Sequence, residues 1–333
     1  MRPNKLIISR TDSIGDVILT LPVAGILKQY FPDLKIIFLG RTYTFPVINA
    51  CEHVDDFLNM DELEWLNKKE ALDLLKEVGA DSIIHVFPYR PAAKLARKAG
   101  IPLRIGTLSR FYHWFTCNKL LPLKRKQSKL HEAQLNLKLL QPFGIRKIPS
   151  LEEMPNYYGL TQIPELIASL KAELSPVKFN LILHPHSQGS AMEWPIMSYA
   201  RLIKILPENE FEIFITGTEV EGQMIRDKLP LSMKNVHDLT GKMDLEELVS
   251  FVNEADGLVA ASTGPLHIAA ATGKKAIGLF SPKRPINPQR WAPLGPQAKA
   301  LVYDENCPEC AKGKPCNCIQ KITPEQVMAE LVV

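Results

Sequence analysis

Residues 258–280 read LVAASTGPLHIAAATGKKAIGLF, two apolar runs separated by a Ser-Thr-Gly-Pro turn and an alanine-rich stretch. The pattern predicts a buried strand ending near Ser262, a tight turn, a short helix and a second buried strand. Pro265 has no N–H to lose at a first helical position, and Ser262, Thr263 or Gly264 can cap the start. Gly273 suits the left-handed position that closes such a helix. Short apolar strands joined through a helix belong to parallel sheets covered on both faces, which restricts the chain to an α/β class. The turn also has chemical potential. Unpaired amides, hydroxyls and the positive end of a helix dipole suit phosphate or another anion. An ordinary strand-helix crossover with a good cap would read the same way.

The same alternation runs through the rest of the chain. Lys5–Ser9 reads as a strand, Arg10–Gly15 as a loop, and 16–30 as one helix with apolar Val17, Leu21, Ala24 and Leu27 at helical spacing, kinked at Pro22. Lys35–Leu39 reads as the next strand, and IIHVF from Ile83 with the following PAAKLARKAG as another strand and helix. The segment 149–177, rich in Pro and Glu, carries one expected helix (IPELIASLKAEL) and leads into a linker. At Phe179 the pattern restarts with FNLILHPH, then the polar loop SQGSAMEW, a helix from about Pro195, strand FEIFITG, helix EVEGQMIRDKL and a helix within LTGKMDLEELVSFVNEA. A length of 333 residues is ample for two domains. The expected division is 1–165 and 166–322, each doubly wound and Rossmann-like, with a terminal helix over 323–333 signalled by Thr323 and Pro324.

Two blocks carry a resemblance. STGPLHIAAATGK followed by IGLFSPKRPINPQRWAPLG, and LIISRTDSIGDVILTLPVAGILKQYFP near the start, resemble the donor-site and opening blocks of glycosyltransferase family 9, the heptosyltransferase family. Their order and spacing fit, so the resemblance extends over nearly the whole chain. It implies an α/β GT-B architecture, with two Rossmann-like domains facing each other across a cleft. It also implies transfer of a sugar, with inversion, from a nucleotide sugar such as ADP-heptose to a lipopolysaccharide-core or related glycolipid acceptor. Alternatives from other classes are a nucleotide-sugar epimerase of GT-B fold and a catalytically silent nucleotide-sugar-binding protein.

The resemblance assigns roles residue by residue. Gly15-Asp16 matches the pair whose aspartate acts as general base, although by itself an aspartate at a helix start is explained by the dipole. Donor contacts fall on Ser187, Gln188, Glu221, Ser262, Thr263, Gly264, Pro265 and His267. For Glu221 an exposed helix position, and for His267 core packing, are the plain alternatives. Two positions depart from the family: Met192 stands where well-studied members carry Lys, and Ser262 where they carry Asp. Lys283, Arg284 and Arg290 could restore positive charge near the donor. No D-x-D triplet occurs, so no cofactor is expected for the chemistry and the leaving group's charge would fall on the 262–265 helix start.

Charge is distributed unevenly. Between Arg90 and Lys129 lie eleven Lys or Arg and no acid, in a chain of net charge +4, so the remainder sums to −7. Aromatic residues are interleaved at SRFYHWF. A solvated basic face and nucleic-acid binding are both open readings, but no nucleic-acid module accompanies the segment. An anionic membrane surface or acidic glycolipid fits the resemblance better. Acceptor contacts are accordingly expected at Arg10, Ser13, Arg104, Arg110, Lys124 and Arg125. The start lacks the apolar core of a signal peptide and no apolar run reaches about eighteen residues, so a cytoplasmic protein, peripheral at the inner membrane face, is expected. Cys307, Cys310, Cys316 and Cys318 form CPECAKGKPCNC, where C-x2-C has zinc-knuckle spacing and C-x-C is tighter than usual. A structural zinc ion and reduced free thiols are the two readings.

Overall fold

The computed structural model describes residues 2–125, 128–314 and 316–332. Two compact units divide between Gln162 and Ile163: Met1–Gln162 and Ile163–Val333. Residues 323–333 fall within the second unit, because the helix Pro324–Leu331 packs on the helix Ile196–Ile205 through Val327, Leu331, Leu202 and Ile203.

The first unit holds β1 (Lys5–Ser9), β2 (Lys35–Gly40), β3 (Asp56–Asn59), β4 (Ser82–His85), β5 (Leu103–Thr107) and β6 (Lys119–Leu121). They form one parallel sheet in the order β3-β2-β1-β4-β5-β6. The central strand is sealed on both faces: Leu6, Ile7 and Ile8 have no exposed surface, which is why these strands read as continuous apolar runs. The second unit repeats the plan with β7 (Phe179–His184), β8 (Phe211–Ile215), β9 (Val236–Asp238), β10 (Gly257–Ala261), β11 (Lys275–Phe280) and β12 (Ala298–Val302), ordered β12-β11-β10-β7-β8-β9. In each sheet the order reverses beside the unit's first strand, between β1 and β4 and between β7 and β10. Open α/β sheets place ligands at the carboxyl ends of the strands at such a reversal.

Two helical expectations need correction. The segment 16–30 is two helices, Ile14–Ile18 and Leu21–Tyr30. Pro22 kinks nothing. It lies in the first turn of the second helix, where its missing N–H costs nothing, and the Thr20 hydroxyl closes the first helix by donating to the Asp16 carbonyl at 2.8 Å. In IPELIASLKAEL only Ala168–Lys171 is helical, since only Leu166 and Leu170 of that stretch become buried. Among the described residues no helix is long and apolar enough to cross a membrane.

Candidate functional site

In the first unit the chain leaves β1 at Ser9 and enters the helix Ile14–Ile18 through a loop beside the β1/β4 reversal. Arg10, the first loop residue, is almost wholly buried. Its guanidinium pairs with Asp12 at 2.6 Å and with Asp16, and lies 3.6 Å from Glu132. The Ser13 hydroxyl donates to the other Asp16 oxygen at 2.5 Å. A guanidinium and a hydroxyl thus hold the Asp16 carboxylate from two sides, one on each oxygen. Burial pushes the Asp12 carboxyl up from its ordinary value, against the opposing charge of Arg10.

A second guanidinium braces this arrangement. Arg125 pairs with Glu132 and donates to the Asn136 side-chain oxygen at 2.9 Å and the Val86 carbonyl at 3.2 Å. The Asn136 amide in turn donates to the Leu19 carbonyl at 3.0 Å and the Thr20 hydroxyl at 3.2 Å. The connection therefore runs from Arg125 to the C-terminal end of the helix whose first turn carries Asp16. Ser9 and His85, paired across β1 and β4, lie under this loop. Burial holds the His85 imidazole down at about 3, so it is neutral at physiological pH.

The expected acceptor residues therefore separate into two groups. Arg10, Ser13 and Arg125 converge on Asp16 or brace it. Arg104 turns inward, with its guanidinium donating to the Thr116 carbonyl at 2.8 Å and to the Ile101 carbonyl. Arg10, Arg104 and Arg125 are thus held by internal acceptors. Arg110 and Lys124 are exposed, as are Arg90, Lys94, Arg97, Lys98, Lys119 and Lys129. Lys126, which belongs to the same segment, lies outside the described residues.

In the second unit the loops after β7 and β10 meet at the other reversal. The helix Gly264–Ala271 starts after Thr263 with Pro265 in its first turn, and Gly273 follows it at φ 79°. Thr263 is in the cap position, yet its hydroxyl makes no cap bond. That buried oxygen has no hydrogen-bond partner among the described residues. The Ser190 hydroxyl approaches the Ser262 carbonyl at 3.5 Å, which ties the two loops together. Pro265 and His267 are buried on the helix, Gly264 and Ser262 partly exposed.

The loop 185–195 is bonded internally. The Ser187 amide and hydroxyl both donate to one oxygen of Glu193, at 2.7 and 3.0 Å, and the hydroxyl is also 3.0 Å from the Ala191 carbonyl. His186 Nδ1 lies 3.1 Å from the other Glu193 oxygen. The Ser187 amide and hydroxyl thus both face an internal carboxylate. These bonds outweigh partial burial and hold the Glu193 carboxyl below its usual range. Gln188 is exposed at φ 50°, a left-handed conformation that side chains rarely adopt. Met192 is exposed next to Glu193.

Glu221 is not on an exposed helix surface. It is buried, and its carboxylate accepts from the Thr218 amide at 2.7 Å and the Thr218 hydroxyl at 2.9 Å in a capping box. His184, at the end of β7, is close to Thr216 Oγ1 (2.9 Å), and burial lowers its imidazole to about 4. Lys283 and Arg284 follow β11; Arg284 is exposed, and Arg290 stacks its guanidinium 5.1 Å from the Trp291 ring.

The model of glycosyltransferase family 9 (heptosyltransferase) matches residues 73–320. The chain belongs to glycosyltransferase family 9. A Haemophilus influenzae protein named only as a candidate glycosyltransferase is 27% identical over 339 residues, covering 98% of this chain and 95% of that protein. The lipopolysaccharide core heptosyltransferase OpsX of the same organism is 21% identical, over 99% of this chain and 94% of its own. A solved family 9 glycosyltransferase from Veillonella parvula superposes with a TM-score of 0.79 at 19% identity, covering 99% and 96% of the two chains. The Escherichia coli heptosyltransferase WaaC, solved with ADP, gives a TM-score of 0.75 at 16% identity over 98% and 99%. With two parallel six-stranded sheets, this family 9 chain has the GT-B fold and is a glycosyltransferase.

Proposed function

We propose that this family 9 enzyme transfers a heptose from ADP-heptose to a lipopolysaccharide-core or related glycolipid acceptor, with inversion and with Asp16 as general base. The observation that carries this reading is Asp16 itself. It is a carboxylate held on both oxygens beside the β1/β4 reversal, where a ligand crevice is expected. In one displacement the acceptor oxygen attacks the anomeric carbon and the bond from that carbon to the diphosphate breaks. The acceptor's proton passes to Asp16 and the bond's electron pair leaves with ADP. The ADP moiety is supported by WaaC, a relative in fold solved with that nucleotide. No residue here is assigned to bind a metal for the chemistry.

On this reading the second unit holds the donor, with the start of the helix Gly264–Ala271 and the Thr263 hydroxyl facing the leaving diphosphate. Lys283 and Arg284 add positive charge, compensating for Met192 where related enzymes carry Lys. Glu221 keeps a ribose contact only through the oxygen that the Thr218 cap leaves unused. Ser262, short and neutral, makes sugar identity the property most open to drift. A calorimetric titration with ADP, UDP, GDP and CDP tests the donor half. ADP is expected to bind, more tightly after Met192→Lys. Thr263→Val is expected to weaken binding about 10- to 100-fold, the worth of one hydrogen bond to a charged group, without destabilising the free protein. No binding by any nucleotide, or parental affinity in both variants, would displace the donor site from this turn.

The acceptor half carries a membrane reading. Phe111, Trp114 and Phe115 are 71%, 57% and 58% exposed and cluster, with ring centroids 5.9 and 5.2 Å from Phe111. Exposed Arg90, Lys94, Lys98, Arg110 and Lys119 belong to the same acid-free segment. Aromatic residues in a basic field suit the interface of an anionic bilayer, where each cation contributes about 1 kcal/mol. Trp114→Ser with Phe115→Ser is expected to lower binding to phosphatidylglycerol-containing vesicles at least about tenfold, roughly 1.4 kcal/mol, with the remainder lost on raising salt. Equal binding by variant and parent would leave the cluster without this role.

A further inference from the structure

The sulfurs of Cys307, Cys310, Cys316 and Cys318 all lie within 4.8 Å of one another. Three pairs are resolved at 3.4 Å (Cys307–Cys316), 3.9 Å (Cys310–Cys318) and 3.0 Å (Cys316–Cys318). A disulfide needs about 2.05 Å, and only one partner per sulfur. A tetrahedron with metal–sulfur bonds of about 2.3 Å has edges of about 3.8 Å, and the three distances straddle that value. We propose that these four cysteines form a tetrathiolate site for one zinc-class divalent ion, and that the ion anchors the segments around the second unit's ligand loops.

Several features point to an ion rather than to four packed thiols. Cys307, Cys310 and Cys318 are buried, in a cluster that among the described residues is joined by no apolar residue other than Cys316. A core that small has little to gain from burial alone. Four thiolates in a tetrahedral set select zinc or iron over the hard oxygen-seeking cations.

The surroundings show what the ion would hold. Ser281, the first residue after β11, brings its hydroxyl to 3.5 Å from Cys310 Sγ, and the same hydroxyl accepts from the Lys283 amide at 3.2 Å. On the other side Cys318 leads into Ile319 and Ile322, both in the main core of the unit. The Ile322 carbonyl accepts from Trp194 Nε1 at 2.9 Å, two residues beyond Met192. The cluster thus joins the loop carrying Lys283 and Arg284 to the loop carrying Ser187 and Glu193. The metal site stands apart from the donor reading, because it concerns thiols and an ion, and it can be tested without any sugar transfer.

The test uses the full chain, purified anaerobically under reducing conditions from medium containing zinc and iron. Elemental analysis is expected to find about one ion per chain, the capacity of one four-thiolate site. Zinc leaves the protein colourless, whereas iron in this site gives visible thiolate-to-iron absorption; either ion supports the site and identifies its occupant. Paired Cys310→Ser and Cys318→Ser should lose the ion. Should that variant fail to fold, alkylation of the parent read by mass spectrometry decides instead. Cys307 and Cys316 are expected to resist modification until a strong chelator is added, and hydrogen exchange at 281–290 and 319–322 to rise when it is. The proposal is overturned if no ion above background remains after reconstitution with zinc chloride, if all four thiols react at once without chelator, or if the anaerobic protein contains two disulfides.

Discussion

Replacing Asp16 by Asn is expected to lower sugar transfer by about two to four orders of magnitude, the usual worth of a general base. Nucleotide binding should stay near the parental value, because the donor groups proposed above belong to the second unit. The substitution suits the question. Asn keeps an oxygen that can accept from Arg10 and has nearly the same shape, so the loop loses one charge with little change in packing. Ser13 is the informative neighbour. Its hydroxyl donates to the second Asp16 oxygen, where Asn presents an NH2 group once its own oxygen faces Arg10, and the hydroxyl can rotate to accept. A large loss of turnover with unchanged unfolding and unchanged ADP affinity would identify a chemical role. Turnover within a few-fold of the parent, measured by mass spectrometry of the glycolipid product, would remove Asp16 from the mechanism.

The parts of the fold visible in the sequence are those written locally. Pro265 and Gly273 bracket the helix Gly264–Ala271, and continuous apolar runs announce the central strands. Even there, Pro22 misled: a proline inside a helical pattern marks a kink or a boundary, and only the Thr20 bond to the Asp16 carbonyl shows that this one is a boundary. The site was less legible because its geometry depends on partners distant in sequence. Nothing near Arg10 announces Glu132, and nothing near Arg125 announces the Val86 carbonyl or Asn136. A run of eleven basic residues reads as one face, yet Arg104 and Arg125 leave it because buried acceptors need donors. Glu193 had a weak signal, a carboxylate within a polar loop close to Ser187, but its direction of folding back could not be read from spacing. The four cysteines were visible as a motif; that Cys316 and Cys318 both reach the sulfurs of the C-x2-C pair despite their tight spacing is a fact of the chain's path.

The largest stability effect is expected at Arg10. Its guanidinium is 4% exposed and faces the carboxylates of Asp12, Asp16 and Glu132, of which Glu132 is itself 2% exposed. Burying these charges costs several kcal/mol each, and their mutual attraction offsets the cost only while both signs are present. Arg10→Met keeps the apolar stem and removes the charge. Asp12 and Asp16 then lose their cation, and Glu132 keeps its pair with Arg125. A loss of about 3–5 kcal/mol is expected, the range found when one member of a buried ion pair is removed. Arg10→Lys should fall between, because an ammonium supplies charge without the planar fork that reaches three carboxylates. Removing an acid that has lost its cation should restore part of the loss, so Arg10→Met with Asp12→Asn should be more stable than Arg10→Met alone. Urea unfolding gives the magnitudes, and hydrogen exchange gives the place: protection should fall over β1, the helix Ile14–Ile18 and the helix Glu132–Leu137, and persist over β7 to β12. Arg10→Met within about 1 kcal/mol of the parent would mean that the three carboxylates are already compensated by other groups or by water, in the manner of a surface pair.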